Sequence, residues 1–306
     1  MPMEATKEKR VYGLLGSNIS YSLSPCMHNS AFGHFGINAE YVIFDVKPSH
    51  LREFVEGVNA REISGLNITV PYKADVMEIM LESGSNLVEE GARKIGAVNT
   101  IRSDPGRLEG FNTDGPGFAE SLKDDLELSL EKLSGKNVLL LGAGGAGRAV
   151  SFYLLSRDLK PGKIFVYDID NDKKQALLND LISCFGDSYA VTAGDDDLIM
   201  RASECDLVVN ATPLGTKEGD PLPLPGGCPG GRAALYDLVY ARETEMISSW
   251  KKKGLPASGG LGMLVNQAAL SFMIWTREEY DLCEIKSVMR SSLPATIKEQ
   301  YGWNIS

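Results

Sequence analysis

A glycine-rich turn in the middle of the chain has the residue types needed to hold an anion. The apolar run 138–141 is followed by Gly142, Gly144, Gly145 and Gly147, and then by a helix-sized segment. Glycines at these points permit a tight turn, a close approach of backbone N–H groups to a phosphate, and close packing of helix on strand. The helix N-terminus also favours an anionic group. The pattern predicts a site for the pyrophosphate of a dinucleotide.

A carboxylate after the next strand supports this interpretation. The strand predicted at 163–167 is followed by Asp168, 26 positions after Gly142, which is roughly where dinucleotide sites carry a ribose-binding acid. The glycines alone would fit a loop without a ligand equally well, whereas turn, helix and acid together favour the dinucleotide. The predicted cofactor-binding residues of this segment are Gly142, Gly144, Gly145, Ala146, Gly147 and Asp168.

The elements that must position such a site alternate between strand and helix. Strands are predicted at 11–15, 39–46 and 65–70, with helices near 24–35 and 51–59, and strands again at 207–210 and 233–239. This pattern predicts an α/β protein of two domains, an N-terminal α/β substrate domain at 1–115 and a Rossmann-type, doubly wound parallel-sheet cofactor domain at 116–261. We expect the C-terminal helices, 262–306, to return to the first domain.

Composition narrows the class of partner. A net charge of −10 gives the chain no broad attraction to nucleic acid or to an anionic membrane, so a small molecule is the expected partner. The N-terminus lacks the apolar core of a signal peptide, and no apolar run approaches membrane-spanning length. The five cysteines are dispersed, which predicts reduced thiols in a cytoplasm and neither disulfides nor a zinc site. The acidic run 195–197 is interpreted as solvated, and no metal is predicted.

Six short polar motifs accompany the glycine turn. They are Ser20–Pro25, Asn67–Lys73, Gly96–Thr100, Gly110–Gly115, Asn210–Gly215 and Gly260–Ala268. In this order, from about Val11 to about Trp275, the chain resembles the shikimate dehydrogenase family, including its quinate/shikimate branch. That family reduces 3-dehydroshikimate to shikimate with NADPH or NADH, or oxidises quinate and shikimate in reverse.

The resemblance implies a role for individual residues. Lys73 and Asp114 match the family's catalytic pair, and Thr212 and Gly260 match positions beside the nicotinamide. The matches to substrate-binding positions are Ser22, Ser24, Asn67, Thr69, Asn99, Tyr240 and Gln267. A positioned ammonium such as that of Lys73 can stabilise the negative charge that hydride addition builds on a ketone oxygen, whether it transfers the proton or only orients the group.

Each of these residues also has a simpler interpretation. Ser22 and Ser24 could form turn and cap contacts before a helix, Lys73 could be a solvated surface lysine, and Asp114 could be a turn residue beside Gly115. The occurrence of all the motifs in family order favours the functional roles. His28, in the first of these helices, is expected to make a structural hydrogen bond.

Two segments depart from the family pattern. The chain has Asp168, Ile169 and Asp170 where relatives that use NADPH carry an Asn-Arg-Thr-like segment. A carboxylate near a 2′-phosphate costs on the order of a few kcal/mol, whereas it can accept hydrogen bonds from a 2′-hydroxyl. NAD is therefore predicted over NADP, with Lys173 and Lys174 as opposing observations.

The second departure is Tyr21, which stands in the first motif where relatives often have a histidine before the serine. Together with the predicted NAD preference, this difference favours the quinate/shikimate branch. Both serines of the motif remain, and the predicted substrate order is shikimate first and quinate second. Rival functions are a glutamyl-tRNA reductase-like or methylene-tetrahydrofolate dehydrogenase-like enzyme, and a cofactor-sensing regulator without turnover. A glutamyl-tRNA reductase-like enzyme would need a nucleophilic cysteine, for which the catalytic domain offers Cys26 alone. The regulator would have a broken Lys–Asp pair. The oligomeric state is open, with a homodimer as one option.

Overall fold

The computed structural model describes residues 9–20 and 22–302. The chain divides into two compact units. Unit 1 comprises Met1–Thr113 and Ala268–Pro294, and unit 2 comprises Asp114–Gln267 and Ala295–Ser306. The C-terminal segment that the sequence interpretation treated as one piece, 262–306, is thus divided between the two units. Which unit binds which ligand stays a prediction.

Unit 1 contains a six-stranded mixed sheet. Its strands are β1 (Arg10–Gly16), β2 (Ala39–Asp45), β3 (Ile63–Ile68), β4 (Leu87–Val88), β5 (Thr100–Asp104) and β6 (Arg107–Phe111). Their order is β2-β1-β3-β5-β6-β4. The first three strands are parallel, β5 runs antiparallel to β3 and to β6, and β4 is parallel to β6. The carboxyl ends of β1 and β3 therefore lie at one edge of the sheet, where polar motifs follow.

Four helices join these strands. They are α1 (Ser24–His34), α2 (Leu51–Glu56), α3 (Lys73–Glu82) and α4 (Glu90–Ile95). One core cluster of this unit includes Leu66, Ile68, Val76 and Met80, all of them at most 2 % exposed. This packing fixes the positions at which β3 ends and α3 begins.

Unit 2 contains a six-stranded parallel sheet. Its strands are β7 (Asn137–Leu141), β8 (Lys163–Tyr167), β9 (Ala190–Thr192), β10 (Leu207–Asn210), β11 (Ala234–Asp237) and β12 (Ala257–Gly259). Their order is β12-β11-β10-β7-β8-β9, and every recorded pair is parallel. This is the order of a doubly wound dinucleotide-binding sheet, in which ligands bind at the carboxyl ends where the strand order reverses. The predicted fold class is confirmed.

Helices connect these strands and complete both units. Those before β12 are α5 (Asp114–Leu126), α6 (Leu130–Leu133), α7 (Gly145–Ser156), α8 (Asn171–Phe185), α9 (Leu198–Glu204) and α10 (Glu245–Lys252), and those after it are α11 (Leu261–Thr276), α12 (Leu282–Ser292) and α13 (Ala295–Gln300). The segment from Ala211 to Ala233, between β10 and β11, has neither helix nor strand. Within residues 9–20 and 22–302, no helix has both the length and the apolarity to cross a membrane.

Candidate active site

The glycine turn lies between β7 and α7, as the sequence predicts. Gly142 has φ +102°, and its N–H donates to the Tyr167 carbonyl at 2.8 Å. A Cβ at Gly147 would lie 2.0 Å from the Gly142 carbonyl oxygen, whereas a Cβ at Gly144 or Gly145 would meet no atom within 4 Å. Gly142 and Gly147 are therefore required by the fold. Gly144 and Gly145 border open space at the helix N-terminus, where a pyrophosphate could lie.

Asp168 contacts this turn directly. One carboxylate oxygen accepts a hydrogen bond from the Ala143 N–H at 2.7 Å, and the other accepts from the Asp170 N–H at 2.9 Å. The next side chain, Ile169, is 84 % exposed. Since a carboxylate oxygen has more than one acceptor position, Asp168 can hold the turn and still accept from a ribose hydroxyl.

The residues after Asp168 form the start of α8. The Asp170 side chain caps this helix by accepting from the N–H groups of Asp172 and Lys173 at 3.1 Å each. These backbone and ion-pair contacts with Lys173, whose ammonium lies 3.1 Å from the carboxylate, lower the pKa of Asp170. One of the two lysines that opposed the NAD prediction is thus paired with a carboxylate of the same segment.

Thr212 and Gly260 lie beyond the carboxyl ends of β10 and β12. The Thr212 N–H and hydroxyl both donate to the Asn210 side-chain oxygen, at 3.1 and 2.7 Å. The Gly260 N–H donates to the Val239 carbonyl at 3.0 Å, and a Cβ at Gly260 would lie 2.1 Å from the Leu238 carbonyl oxygen. Both predicted cofactor positions therefore have backbones held by their own sheet.

A buried carboxylate that the sequence interpretation missed lies between them. Asp237 ends β11 and is fully buried. Its carboxylate accepts from the Asn210 amide at 2.8 Å, from the Val239 N–H at 3.1 Å and from the Thr244 hydroxyl at 2.7 Å. Burial raises the pKa of Asp237 to about 6, against the lowering effect of these three donors. A charged residue ending an otherwise apolar strand was the available signal.

The remaining predicted residues of unit 2 lie on or near helices. Asp114 is the first residue of α5 and is 5 % exposed, so its charge faces the favourable end of that helix. Gln267 lies on α11 and donates to the Leu264 carbonyl at 2.8 Å. A Cβ at Gly117 would approach the Gln267 backbone to 2.8 Å, so α5 and α11 are in close contact. Tyr240 follows β11, and its carbonyl accepts from the Tyr301 hydroxyl at 3.1 Å.

In unit 1 a buried polar network surrounds Asn67. Its amide donates to the Ser271 hydroxyl at 2.9 Å and to the Thr100 hydroxyl at 3.2 Å, and its oxygen accepts from the Tyr41 hydroxyl at 2.9 Å. Burial raises the pKa of Tyr41, and a hydrogen bond with Ser24 acts in the opposite direction. The Tyr41 hydroxyl therefore connects two predicted substrate-binding residues, Ser24 and Asn67.

Asn99 is the second buried amide of this unit. Its side-chain oxygen accepts from the Thr113 N–H at 2.8 Å, and its amide donates to the Thr113 hydroxyl at 2.9 Å. Ser22 accepts from the Ser24 N–H at 3.2 Å, which is the turn contact weighed above. The residue that caps α1 is Leu23, without a side-chain cap bond. The structure thus supports the turn alternative for Ser22 and not the cap alternative for Ser24.

Lys73 begins α3, and Thr69 is the first residue after the end of β3. The Thr69 N–H donates to the Leu15 carbonyl at 2.9 Å, and the Lys73 carbonyl accepts from the Val98 N–H at 2.9 Å. Lys73 is partly exposed. A cation at a helix N-terminus is electrostatically unfavourable, so the stability of α3 does not explain the choice of lysine at this position.

The last two residues singled out from the sequence are Tyr21 and His28. Tyr21 lies outside the described residues. His28 is fully buried, stacked on Tyr41 with ring centroids 4.4 Å apart, and neither ring nitrogen has a hydrogen-bond partner among the described atoms. The structural hydrogen bond expected of His28 is not seen among the described atoms, and the ring packs within an aromatic cluster. Burial lowers the pKa of His28 to about 3.

Comparison with known proteins gives one consistent result. The family model for the shikimate dehydrogenase substrate binding domain matches residues 14–101. The shikimate dehydrogenase (NADP(+)) of Geobacillus kaustophilus is 35 % identical over 289 residues, which cover 93 % of this chain and 99 % of that protein.

Solved structures agree with this finding. Shikimate 5-dehydrogenase of Thermus thermophilus in complex with NADP(H) and shikimate is 34 % identical, with a TM-score of 0.78 over 93 % of this chain and 100 % of that one. Quinate dehydrogenase of Corynebacterium glutamicum in complex with NAD is 27 % identical, with a TM-score of 0.79 over 92 % and 98 %.

Proposed function

The chain belongs to the shikimate dehydrogenase family, and from this membership we propose that it catalyses reversible hydride transfer between shikimate and a nicotinamide dinucleotide. The observation that carries the proposal is the 35 % identity to a shikimate dehydrogenase over 93 % of the chain, a share that extends through both units. When bound, the nicotinamide supplies the hydride for ketone reduction or accepts it in alcohol oxidation.

The dinucleotide fits residues of unit 2. Gly144 and Gly145 leave space beside the N-terminus of α7, where backbone N–H groups and the helix dipole favour a pyrophosphate. Asp168 contacts the same turn through Ala143. These residues would hold the cofactor, with Thr212 and Gly260 near its nicotinamide end.

We assign acid–base and electrostatic roles to Lys73 and Asp114. The ammonium of Lys73 would stabilise charge developing on the substrate oxygen, and it would deliver or orient the proton there. The carboxylate of Asp114 would hold a substrate hydroxyl in register, which lowers the entropic part of the barrier. The unfavourable position of Lys73 at the start of α3 supports a functional reason for this lysine.

The substrate is proposed to be held by polar side chains without a metal. Asn67 and Asn99 are almost fully buried and hydrogen-bonded on more than one side, so their amides are rigidly oriented, which favours recognition of a polyhydroxylated acid. Thr69 extends the same strand end. Ser22 and Ser24 would bind the substrate carboxylate, and Tyr240 and Gln267 are the remaining proposed substrate-binding residues.

We propose NAD as the preferred cofactor. Asp168 is oriented by two backbone N–H groups, and the following exposed position is Ile169, which carries no charge for a 2′-phosphate. Lys173 is paired with Asp170, which weakens its claim as a phosphate ligand. The relatives include proteins named for NADP(+) and structures solved with NAD, so a direct measurement decides the cofactor.

One activity panel tests the proposal. Purified protein is assayed for oxidation of shikimate and of quinate with NAD and with NADP, and the four kcat/KM values are compared. We expect the largest value for shikimate with NAD and the next for quinate with NAD. A larger kcat/KM with NADP would overturn the cofactor proposal, and turnover of neither acid would overturn the proposed function.

A further inference from the structure

The buried carboxylate at the end of β11 accepts hydrogen bonds from three donors. Asp237 is fully buried and accepts from Asn210, Val239 and Thr244. All three partners donate, which suits an ionised carboxylate, since this group only accepts. Thr244 in turn accepts from the Ile247 N–H at 3.2 Å and so caps α10. The carboxylate is therefore the centre of a network within unit 2.

The network leads to each segment that carries a proposed nicotinamide-side residue. Asn210 binds Asp237 through its amide and binds both the N–H and the hydroxyl of Thr212 through its oxygen. Its amide also donates to the Leu214 carbonyl at 3.3 Å. One side chain thus transmits the position of Asp237 to the loop that follows β10.

A second route leaves from the backbone of Val239. Its N–H donates to Asp237, and its carbonyl accepts from the Gly260 N–H at 3.0 Å. Tyr240 is the next residue, so its backbone starts from the same fixed point. Hydrogen bonds therefore connect the segment after β11 and the segment after β12 to the same carboxylate.

We propose that Asp237 is a positioning residue that holds Thr212 and Gly260 in register for the nicotinamide end of the dinucleotide, and with them the backbone that leads to the substrate-binding candidate Tyr240. The proposal rests on the proposed function, because it concerns the cofactor site of that function. Asp237 is not proposed to contact the cofactor. It acts through Asn210 and Val239, and its effect depends on its being an acceptor for all three donors at once.

The ionisation of Asp237 gives a measurable signature of this role. Burial raises its pKa to about 6, and the three donors act in the opposite direction without any cation among the causes. The charge of Asp237 acts on the pKa of Tyr301, together with Asp125 and Glu243, and burial is the main cause that raises that pKa. Tyr301 therefore stays neutral through the acid range, and the comparison of wild type with Asp237→Asn decides whether a change near pH 6 comes from Asp237.

The test measures NADH binding by fluorescence titration from pH 5 to pH 8, without substrate. For the wild type we expect the Kd to rise about three- to tenfold as the pH falls through 6. For Asp237→Asn, which keeps the shape and removes the charge, we expect a raised Kd that is independent of pH over this range. In steady state the variant should raise the KM for the cofactor more than it lowers kcat.

Two other variants make the result interpretable. Thr244→Val removes one donor and should raise the Kd less than Asp237→Asn does, and it serves as the second test if the latter fails to fold. Asp206→Asn is the matched control, because Asp206 is a carboxylate at the opposite end of β10 that accepts from the Asn137 N–H and pairs with Arg232. Its Kd and pH profile should equal those of the wild type.

The outcomes separate this inference from the proposed function. A pH-independent wild-type Kd, or a normal Kd for Asp237→Asn, overturns the positioning role even if shikimate is oxidised. Turnover of neither acid, with the expected pH-dependent NADH binding, overturns the substrate and leaves the positioning role supported. Absence of NADH and NADPH binding by the wild type overturns both.

Discussion

Lys73 is the residue on which the chemistry depends most directly. We expect Lys73→Ala to lower kcat by about 10²–10⁴-fold, the range for loss of a positioned acid–base group. Dinucleotide Kd should stay within about twofold, and thermal unfolding should show that the variant remains folded. The measurements are steady-state kinetics, NADH titration and thermal unfolding.

The matched control is Lys94→Ala, an exposed lysine of unit 1 whose ion pair with Glu90 is on the surface. Its kcat should equal that of the wild type, since exposed pairs contribute little. A mild loss in Lys73→Ala, comparable to the loss in the control, would contradict the catalytic role and favour the regulator hypothesis.

The segment after β8 carries the cofactor prediction at the level of two side chains. The double change Asp168→Asn and Ile169→Arg removes a carboxylate and adds a cation at a position that is 84 % exposed. Two unit charges 5 Å apart interact by about 3 kcal/mol at an effective dielectric of 20. We expect the ratio of kcat/KM for NADP to that for NAD to rise at least about tenfold.

The ratio is the quantity to measure, because Asn in place of Asp168 weakens its bonds to the turn and lowers affinity for both dinucleotides. Asp187→Asn is the control, an exposed carboxylate just beyond the C-terminal end of α8. A ratio that moves equally in both proteins would show that the effect is one of net charge and not of the site.

At this scale the roles inferred from contiguous motifs stay predictions. Asp168 was predicted to bind a ribose, and the structure shows its carboxylate hydrogen-bonded to the glycine turn at Ala143. The network of Asp237 was missed because Asn210 meets it only through the parallel pairing of β10 with β11, and Thr244 meets it only because the chain turns back after β11 into α10. The aromatic enclosure of His28 was not predicted, because its ring neighbours are distant along the chain.

The strand-turn-helix element from β7 to α7 separates a folding role from a binding role among its glycines. Gly147→Ala would bring a methyl group to 2.0 Å from the Gly142 carbonyl oxygen, and we expect it to destabilise unit 2 by about 1–3 kcal/mol, the typical cost of overpacking. Gly144→Ala adds a methyl group in open space, so stability should be unchanged while dinucleotide Kd rises about tenfold or more.

Each of these variants is the control for the other. Thermal unfolding should shift for Gly147→Ala and not for Gly144→Ala, and NADH titration of the folded protein should show the larger loss for Gly144→Ala. Equal melting temperatures together with equal Kd values would contradict the assignment of the open space beside Gly144 to a pyrophosphate.

Long apolar strands were the elements best predicted from sequence. The predicted positions of β1, β2, β7, β8 and β10 agree with the structure within one or two residues, because continuous apolar runs of this length are typical of buried parallel strands. The short strands β4, β9 and β12 have two or three residues each. Segments this short have no periodicity of their own, and they form because a neighbouring strand offers an unpaired edge.

For the molecule as a whole, two buried titratable groups predict opposite responses of the two units to acid. His28 in unit 1 has its pKa lowered from 6.5 to about 3 by burial, so the unfolded chain binds a proton that the folded unit excludes. Its contribution to stability is present above pH 6.5 and is lost as the pH falls toward 3, by up to about 5 kcal/mol.

Asp237 in unit 2 acts with the other sign. Its pKa is raised from 3.8 to about 6, so the folded unit binds a proton that the unfolded chain releases between these values. Its contribution is fully present below pH 3.8 and is lost as the pH rises through 6, which corresponds to about 3 kcal/mol at neutral pH. A charge kept at this cost to stability is consistent with the positioning role inferred for Asp237.

We therefore expect acidification from pH 7 to pH 4 to loosen unit 1 before unit 2. Hydrogen exchange, corrected for the intrinsic pH dependence of the rate, should show protection falling in α1 and β2 while it is kept in β10 and β11. His28→Phe keeps an aromatic ring against Tyr41 and removes both unpartnered nitrogens, so it should abolish most of the acid loss in unit 1 without affecting unit 2. Equal loss of protection in α1 for this variant and the wild type would show that His28 does not cause the acid response, and the exposed carboxylates would then be its source.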